Sequence, residues 1–105
     1  MLNKEAITKQ FEGLTEDEAL ALLADEYGIV WTPQETSCKM WYAKVFNYCR
    51  ADDLQEQLED FLWFINNIVV PITKSCFNQE DTVFQGCTCQ CGRKQTILYY
   101  TLMRN

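Results

Sequence analysis

Seven apolar side chains, Leu54, Leu58, Phe61, Leu62, Ile65, Ile68 and Val69, recur at three- and four-residue intervals, the spacing of a single helical face. A helix with such a stripe is stable only when the stripe lies against another element. This pattern predicts a helix over about 53–69. The stretch from Asp52 to Gln55 supplies its cap, and Pro71 ends it because proline lacks an amide donor. The rest of the chain must therefore provide a packing surface. Hydrophobic residues make up 48% of the 105 positions and aromatics 13%, enough for one core and too little chain for two. A single domain over 1–105 is expected.

Upstream, the local signals are also helical. Asn3 can cap a short helix over about 3–12 that turns Ala6, Ile7 and Phe11 inward and stops at Gly13. Thr15 and Glu18 have the spacing of a capping box. The helix they open, about 16–27, places Ala19, Leu20, Leu23, Ala24 and Tyr27 on one face before Gly28. A second capping box at Thr32 to Glu35, with Pro33 in the first helical position, predicts a helix over about 33–50. Its stripe would be Cys38, Trp41, Tyr42, Val45, Phe46 and Cys49. A strand over the same residues would group Cys38, Met40, Tyr42, Phe46 and Tyr48 with Lys44, a poorer match. After Thr73 the composition turns to Thr, Val, Phe, Ile and Tyr, interrupted by Gly92-Arg93-Lys94, and a β-hairpin of about 82–91 and 95–103 is expected. The predicted fold is α+β, mainly α: a helical bundle of three to four helices followed by a C-terminal hairpin.

The chain contains no histidine. Ser-His-Asp and Cys-His nucleophiles, imidazole acid–base catalysis and mixed Cys/His metal sites are thereby excluded. The four glycines are isolated, so neither a dinucleotide-binding nor a P-loop pattern exists. No catalytic pair is visible, and a non-enzymatic protein is expected. Opening on Met1-Leu2-Asn3-Lys4-Glu5 rather than on an apolar segment, and lacking an apolar run of bilayer length, the chain is expected to be cytoplasmic with no membrane partner.

In that compartment the six cysteines read as reduced thiols or metal ligands. Cys87, Cys89 and Cys91 alternate, and Cys76 precedes them, so the metal alternative is a four-thiolate zinc site. In an extended strand alternate thiols lie roughly 6.5–7 Å apart, whereas tetrahedral zinc with bonds of about 2.3 Å needs sulfurs near 3.8 Å. The competing expectation makes them small hydrophobes on the inner face of the hairpin, with no cofactor.

Net charge is −6 and unevenly spread. Residues 1–30 set seven acids against Lys4 and Lys9, whereas the segment from Pro71 onward carries Lys74, Arg93, Lys94 and Arg104 against Glu80 and Asp81. Asp52, Asp53, Glu56, Glu59 and Asp60 crowd the start of the long helix. Acids in a first turn complement the helix dipole, but Glu59 and Asp60 lie beyond it. Like-charged i+3 and i+4 pairs cost about 0.2–0.5 kcal/mol each. The functional expectation is a negative surface for another protein with a basic groove, as in phage-type inhibitors that occupy the nucleic-acid site of a host complex. Trp63 and Phe64 exceed what one buried stripe requires and join that surface as contact candidates. The alternative is a winged-helix-like nucleic-acid-binding regulator: Leu20 to Trp41 has some helix-turn-helix character, with Arg93 and Lys94 at a wing tip. The acidity and the absence of basic residues early in the second helix oppose nucleic acid as a partner. A homodimer is a further expectation, through an aromatic packed on a second copy.

Overall fold

The computed structural model describes residues 3–30, 39–88, 92 and 94–104. In chain order, α1 (Lys4–Phe11) and α2 (Glu16–Tyr27) lead to β1 (Lys39–Tyr48) and α3 (Ala51–Phe64). The helix of α3 continues through a π turn (Ile65–Val69) into α4 (Val70–Thr73). β2 (Ser75–Phe77), a 3₁₀ turn (Gln79–Asp81), β3 (Val83–Thr88) and β4 (Lys94–Arg104) complete the chain. The result is α+β: helices on one face of a four-stranded antiparallel sheet. It is not a helical bundle with an appended hairpin.

The first two helices begin and end as their caps dictate. Asn3 accepts from the Ala6 amide at 3.0 Å. Thr15 Oγ1 accepts from the Glu18 amide at 3.2 Å, and the Glu18 carboxylate accepts from the Thr15 amide at 3.4 Å, closing the reciprocal box. Gly28 ends α2 at φ +69°, a left-handed geometry that strains any residue with a Cβ.

The expected helix over 33–50 is overturned. From Lys39 the chain is a strand in ten-residue register with β4, Tyr42 opposite Tyr100 and Phe46 opposite Thr96; the capping box at Thr32–Glu35 lies outside the described residues. The burial pattern shows why. Phe46 is 3% exposed and Val45 46%, the alternation of a pleated strand, whereas a helical stripe would bury both. Helical spacing and a β-branched, aromatic composition conflict in this segment. Pairing with β4, apolar on both faces, decides for the strand.

β4 is the central strand: β1 lies along one edge, and β2 and β3 share the other. The expected 82–91 and 95–103 pair survives only as β3 and β4, antiparallel with Val83 opposite Tyr99, inside this larger sheet. Thr96, Leu98, Tyr100 and Leu102 are buried on the side of the helices, packed with Leu23, Ile29, Phe46, Phe64, Ile65, Ile68 and Val69. Each large apolar side chain buried there contributes about 1.5–3 kcal/mol.

Pro71 does not end the long helix. The Val70 amide donates five residues back to the Ile65 carbonyl, and the wider π turn brings the helix to Pro71 without the tight i−4 approach that a proline ring obstructs. Asn66 and Asn67 donate side-chain amides to the Leu62 and Trp63 carbonyls at 3.0 and 2.9 Å, meeting acceptors where the ladder shifts. Among the described residues no helix is long and apolar enough to cross a membrane.

Candidate functional site: an acidic and aromatic groove between β1 and α3

At about 100° per residue, Asp53, Glu56 and Asp60 fall within roughly 60° of one another around α3. Asp52 and Glu59 sit about a quarter-turn farther round. The two sets therefore face different surroundings. Asp53, Glu56 and Asp60 line an open compartment of about 350 Å³ with Asn47, Tyr48, Cys49 and Gln57. A second compartment, about 400 Å³, shares Asn47, Gln57 and Asp60 and continues along the same seam to Phe61, Phe46, Tyr42 and Tyr27. The shared residues make one groove, acidic at the end of β1 and aromatic toward the end of α2.

Its walls are fixed by hydrogen bonds and ring packing. Gln57 Nε2 donates to the Asn47 carbonyl at 2.8 Å, tying α3 to β1. Gln95 Nε2 donates to Asn47 Oδ1 at 2.8 Å, tying β1 to β4. Phe61 sits edge-on to both Phe46 and Tyr100, with centroids 5.6 and 5.2 Å apart. Tyr42 stacks on Tyr100 at 5.6 Å and donates its hydroxyl to the Val30 carbonyl, closing the aromatic end against the chain leaving α2. Lys44 shares the strand parity of Tyr42 and Phe46 yet is exposed at the groove lip. A charge on the inward side of an edge strand also discourages stray strand pairing.

Electrostatics are sharpest at the acidic end. The Arg50 guanidinium donates to Asp53 at 3.2 Å, and that hydrogen bond holds the Asp53 carboxyl below its ordinary value and raises Arg50. Asp53 thus stays ionised at any pH near neutrality. Burial, followed by the charge of Tyr42, pushes the Tyr100 hydroxyl far above the usual tyrosine range, so the aromatic floor stays neutral.

On the other flank of α3, Glu59 and Gln55 are joined at 2.9 Å. They line a smaller cleft of about 210 Å³ with Leu58, Leu62 and Phe84. Phe84 is 56% exposed, a large apolar side chain beside the acidic stripe.

The contact candidates from sequence divide. Asp52, Glu56 and Glu59 are exposed, and Asp53 and Asp60 half-buried. Phe64 is 6% exposed within the core and does not belong to a surface, because it fills the space under the Tyr27 ring at 4.6 Å. Trp63 packs partly on the core beneath Lys4, whose ammonium lies 5.5 Å from its ring. The groove's β1 wall, from Tyr42 to Cys49, was hidden by the helical reading of that segment; the cluster Tyr42, Val45, Phe46 and Tyr48 was the available strand signal.

The backbone register keeps Cys76 apart from Cys87. Cys76 pairs with Met103 and Cys87 with Gln95 along the same edge of β4, eight residues apart and so about 27 Å at strand rise. A four-thiolate centre needs sulfurs about 3.8 Å apart, so Cys76 cannot share one with Cys87. Cys89 and Cys91 lie outside the described residues. Among the described residues no group of three or more Cys, Asp or Glu side chains is placed to hold a metal ion. The helix expected over 33–50, which the winged-helix alternative would use, is a strand from Lys39 to Tyr48; its first residues lie outside the described residues. No family model, curated protein or solved structure matches the chain.

Proposed function

We propose that this is a non-enzymatic interaction protein that receives the Arg and Lys side chains of a basic partner in the groove between β1 and α3. One observation carries this reading: Asp53, Glu56 and Asp60 share an open groove that runs into a wall of aromatic rings. Carboxylates accept charge-assisted, bidentate hydrogen bonds from guanidinium groups. Aromatic faces attract the same cations at about 0.5–2 kcal/mol, and Phe84 offers an apolar anchor on the opposite flank. Electrostatic complementarity of this kind sets partner choice and on-rate.

Basic grooves of this chemistry occur on proteins that handle nucleic acid, and an acidic ligand in such a groove competes with phosphates. The reading is therefore an inhibitor or regulator of a nucleic-acid-processing complex. A capture experiment from host extract, run with the protein and with Asp60→Lys, tests it. The expected result is a nucleic-acid-processing protein recovered at low salt, displaced by added duplex DNA, and reduced at least tenfold with the variant. Recovery indifferent to both DNA and the substitution would overturn the reading.

A further inference from the structure

Among the described strands, β1 pairs with β4 alone and so forms one edge of the sheet. An edge strand carries a row of unpaired main-chain donors and acceptors, a ready template for one more strand. Here that row opens into the groove. The larger compartment is lined by every residue from Tyr42 to Asn47. Side chains of a strand alternate between faces, so an unbroken run of lining residues means that the main chain itself forms the wall.

The Asn47 carbonyl gives the orientation of that wall. It is turned to α3, where it accepts from Gln57 Nε2 at 2.8 Å. In an antiparallel pair each residue turns its amide and its carbonyl to the same side, and the next residue turns them to the other. Ala43 and Val45 share the parity of Asn47, so their main-chain groups point away from β4 and into the groove. Both residues are exposed. Among the described residues, no main-chain hydrogen bond outside the helices and strand ladders involves β1.

We infer that the groove takes an extended segment of the basic partner as an added strand along Ala43 to Asn47. This rests on the cation-binding role proposed above and assigns the partner's conformation and register. The segment's main chain bonds the amides and carbonyls of Ala43 and Val45, which fixes where its alternate side chains fall. On the helix side, those beside Phe46 and Tyr48 reach the acidic end, where Asp53, Glu56 and Asp60 stand and accept lysine or arginine. The position beside Lys44 is not basic, because like charges directly opposite across a strand pair are destabilising. Lys44 thus selects the register and disfavours a uniformly basic segment. A second copy is the poorer occupant: β1 paired with its own equivalent brings two acidic α3 helices together along the seam, on chains of −6 each.

Amide hydrogen exchange followed by nuclear magnetic resonance tests this on the whole chain. The probe is a synthetic peptide of about seven residues, with arginine at the positions beside Phe46 and Tyr48, threonine beside Lys44 and valine between. Two further peptides carry N-methyl groups, one on the amides that face β1 and the other on the amides that face away. In the free protein the Ala43 and Val45 amides should exchange at least about tenfold faster than those of Lys44 and Phe46, which face β4. Saturation with the unmodified peptide should slow Ala43 and Val45 at least about tenfold. Methylation facing β1 should weaken binding at least about tenfold, and methylation facing away should change it less than about threefold. Chemical-shift changes at Asp53 to Asp60 without slowing at Ala43 and Val45, or equal affinity of the two methylated peptides, would overturn strand addition and leave the cation-binding role standing. No binding by any of the three would overturn both.

Discussion

Val45 and Phe46 are adjacent in sequence and opposite in surroundings, and replacing each in turn tests the strand that forms one wall of the groove. Phe46 is 3% exposed and edge-on to Phe61 at 5.6 Å. Truncating a buried phenylalanine to alanine costs about 3–5 kcal/mol, including the cavity left behind, and losing the ring pair accounts for about 0.5–1.5 kcal/mol beyond burial. For a domain of this size each kcal/mol lowers Tm by about 4–8 °C. Phe46→Ala should therefore lower Tm by at least about 12 °C; Phe46→Leu should cost less. Val45→Thr keeps the β-branched shape, and at 46% exposure its hydroxyl remains hydrated, so the cost should stay within about 0.5 kcal/mol. Urea denaturation monitored by circular dichroism measures both free-energy losses, and a thermal scan measures the Tm shift. If Val45 and Phe46 shared one buried helical stripe, the buried hydroxyl would cost about 1–3 kcal/mol. A Val45→Thr loss in that range, or a Phe46→Ala loss below about 1 kcal/mol, refutes the strand assignment and the groove built on it.

Three further outcomes follow from the same structure. The Tyr100 pKa is raised by burial, so its stabilising contribution is intact below the unfolded tyrosine value of about 10 and is lost as pH rises beyond it; alkaline unfolding should coincide with tyrosinate absorbance, and Tyr100→Phe should move that midpoint upward. Removing the reciprocal cap with Thr15→Ala should cost about 1 kcal/mol and raise amide exchange in the first turn of α2. Gly28→Ala forces a Cβ into φ +69° and should cost about 1–2 kcal/mol by denaturant titration, although nothing lies within 4 Å of the added methyl.

Local rules carried α1 and α2 almost to the residue, because Asn3, Thr15, Glu18, Gly13 and Gly28 specify ends through hydrogen bonds only a few positions long. The stripe from Leu54 to Val69 was equally legible, though Pro71 misled: a π turn lets a helix carry a proline, and a shifted ladder has no strong sequence mark. β1 was lost for a different reason. Whether Tyr42 and Phe46 form a strand is decided by β4, whose Tyr100 and Thr96 lie 58 and 50 residues away, and spacing within the segment cannot contain that information. The candidate site divided accordingly. The five acids of α3 were visible as a cluster, and Asp53, Glu56 and Asp60 could be grouped once the helix was known. Their opposite wall, Asn47 to Cys49, needed the sheet. Phe64 was misplaced because the helix is packed both by the sheet and by α2, so its buried arc is wider than the single stripe that Phe61, Leu62 and Ile65 define.

The groove's preference for cations is most directly measured by titrating the ¹⁵N-labelled protein with a short arginine-rich peptide and following amide chemical shifts. The largest changes should fall on Asn47 to Cys49 and on Asp53 to Phe61, weaken with added salt, and disappear in a Glu56→Gln, Asp60→Asn double variant. Shifts centred instead on Glu16, Asp17 and Glu18 of α2, or unchanged in the double variant, would contradict the assignment of the binding site to the seam between β1 and α3.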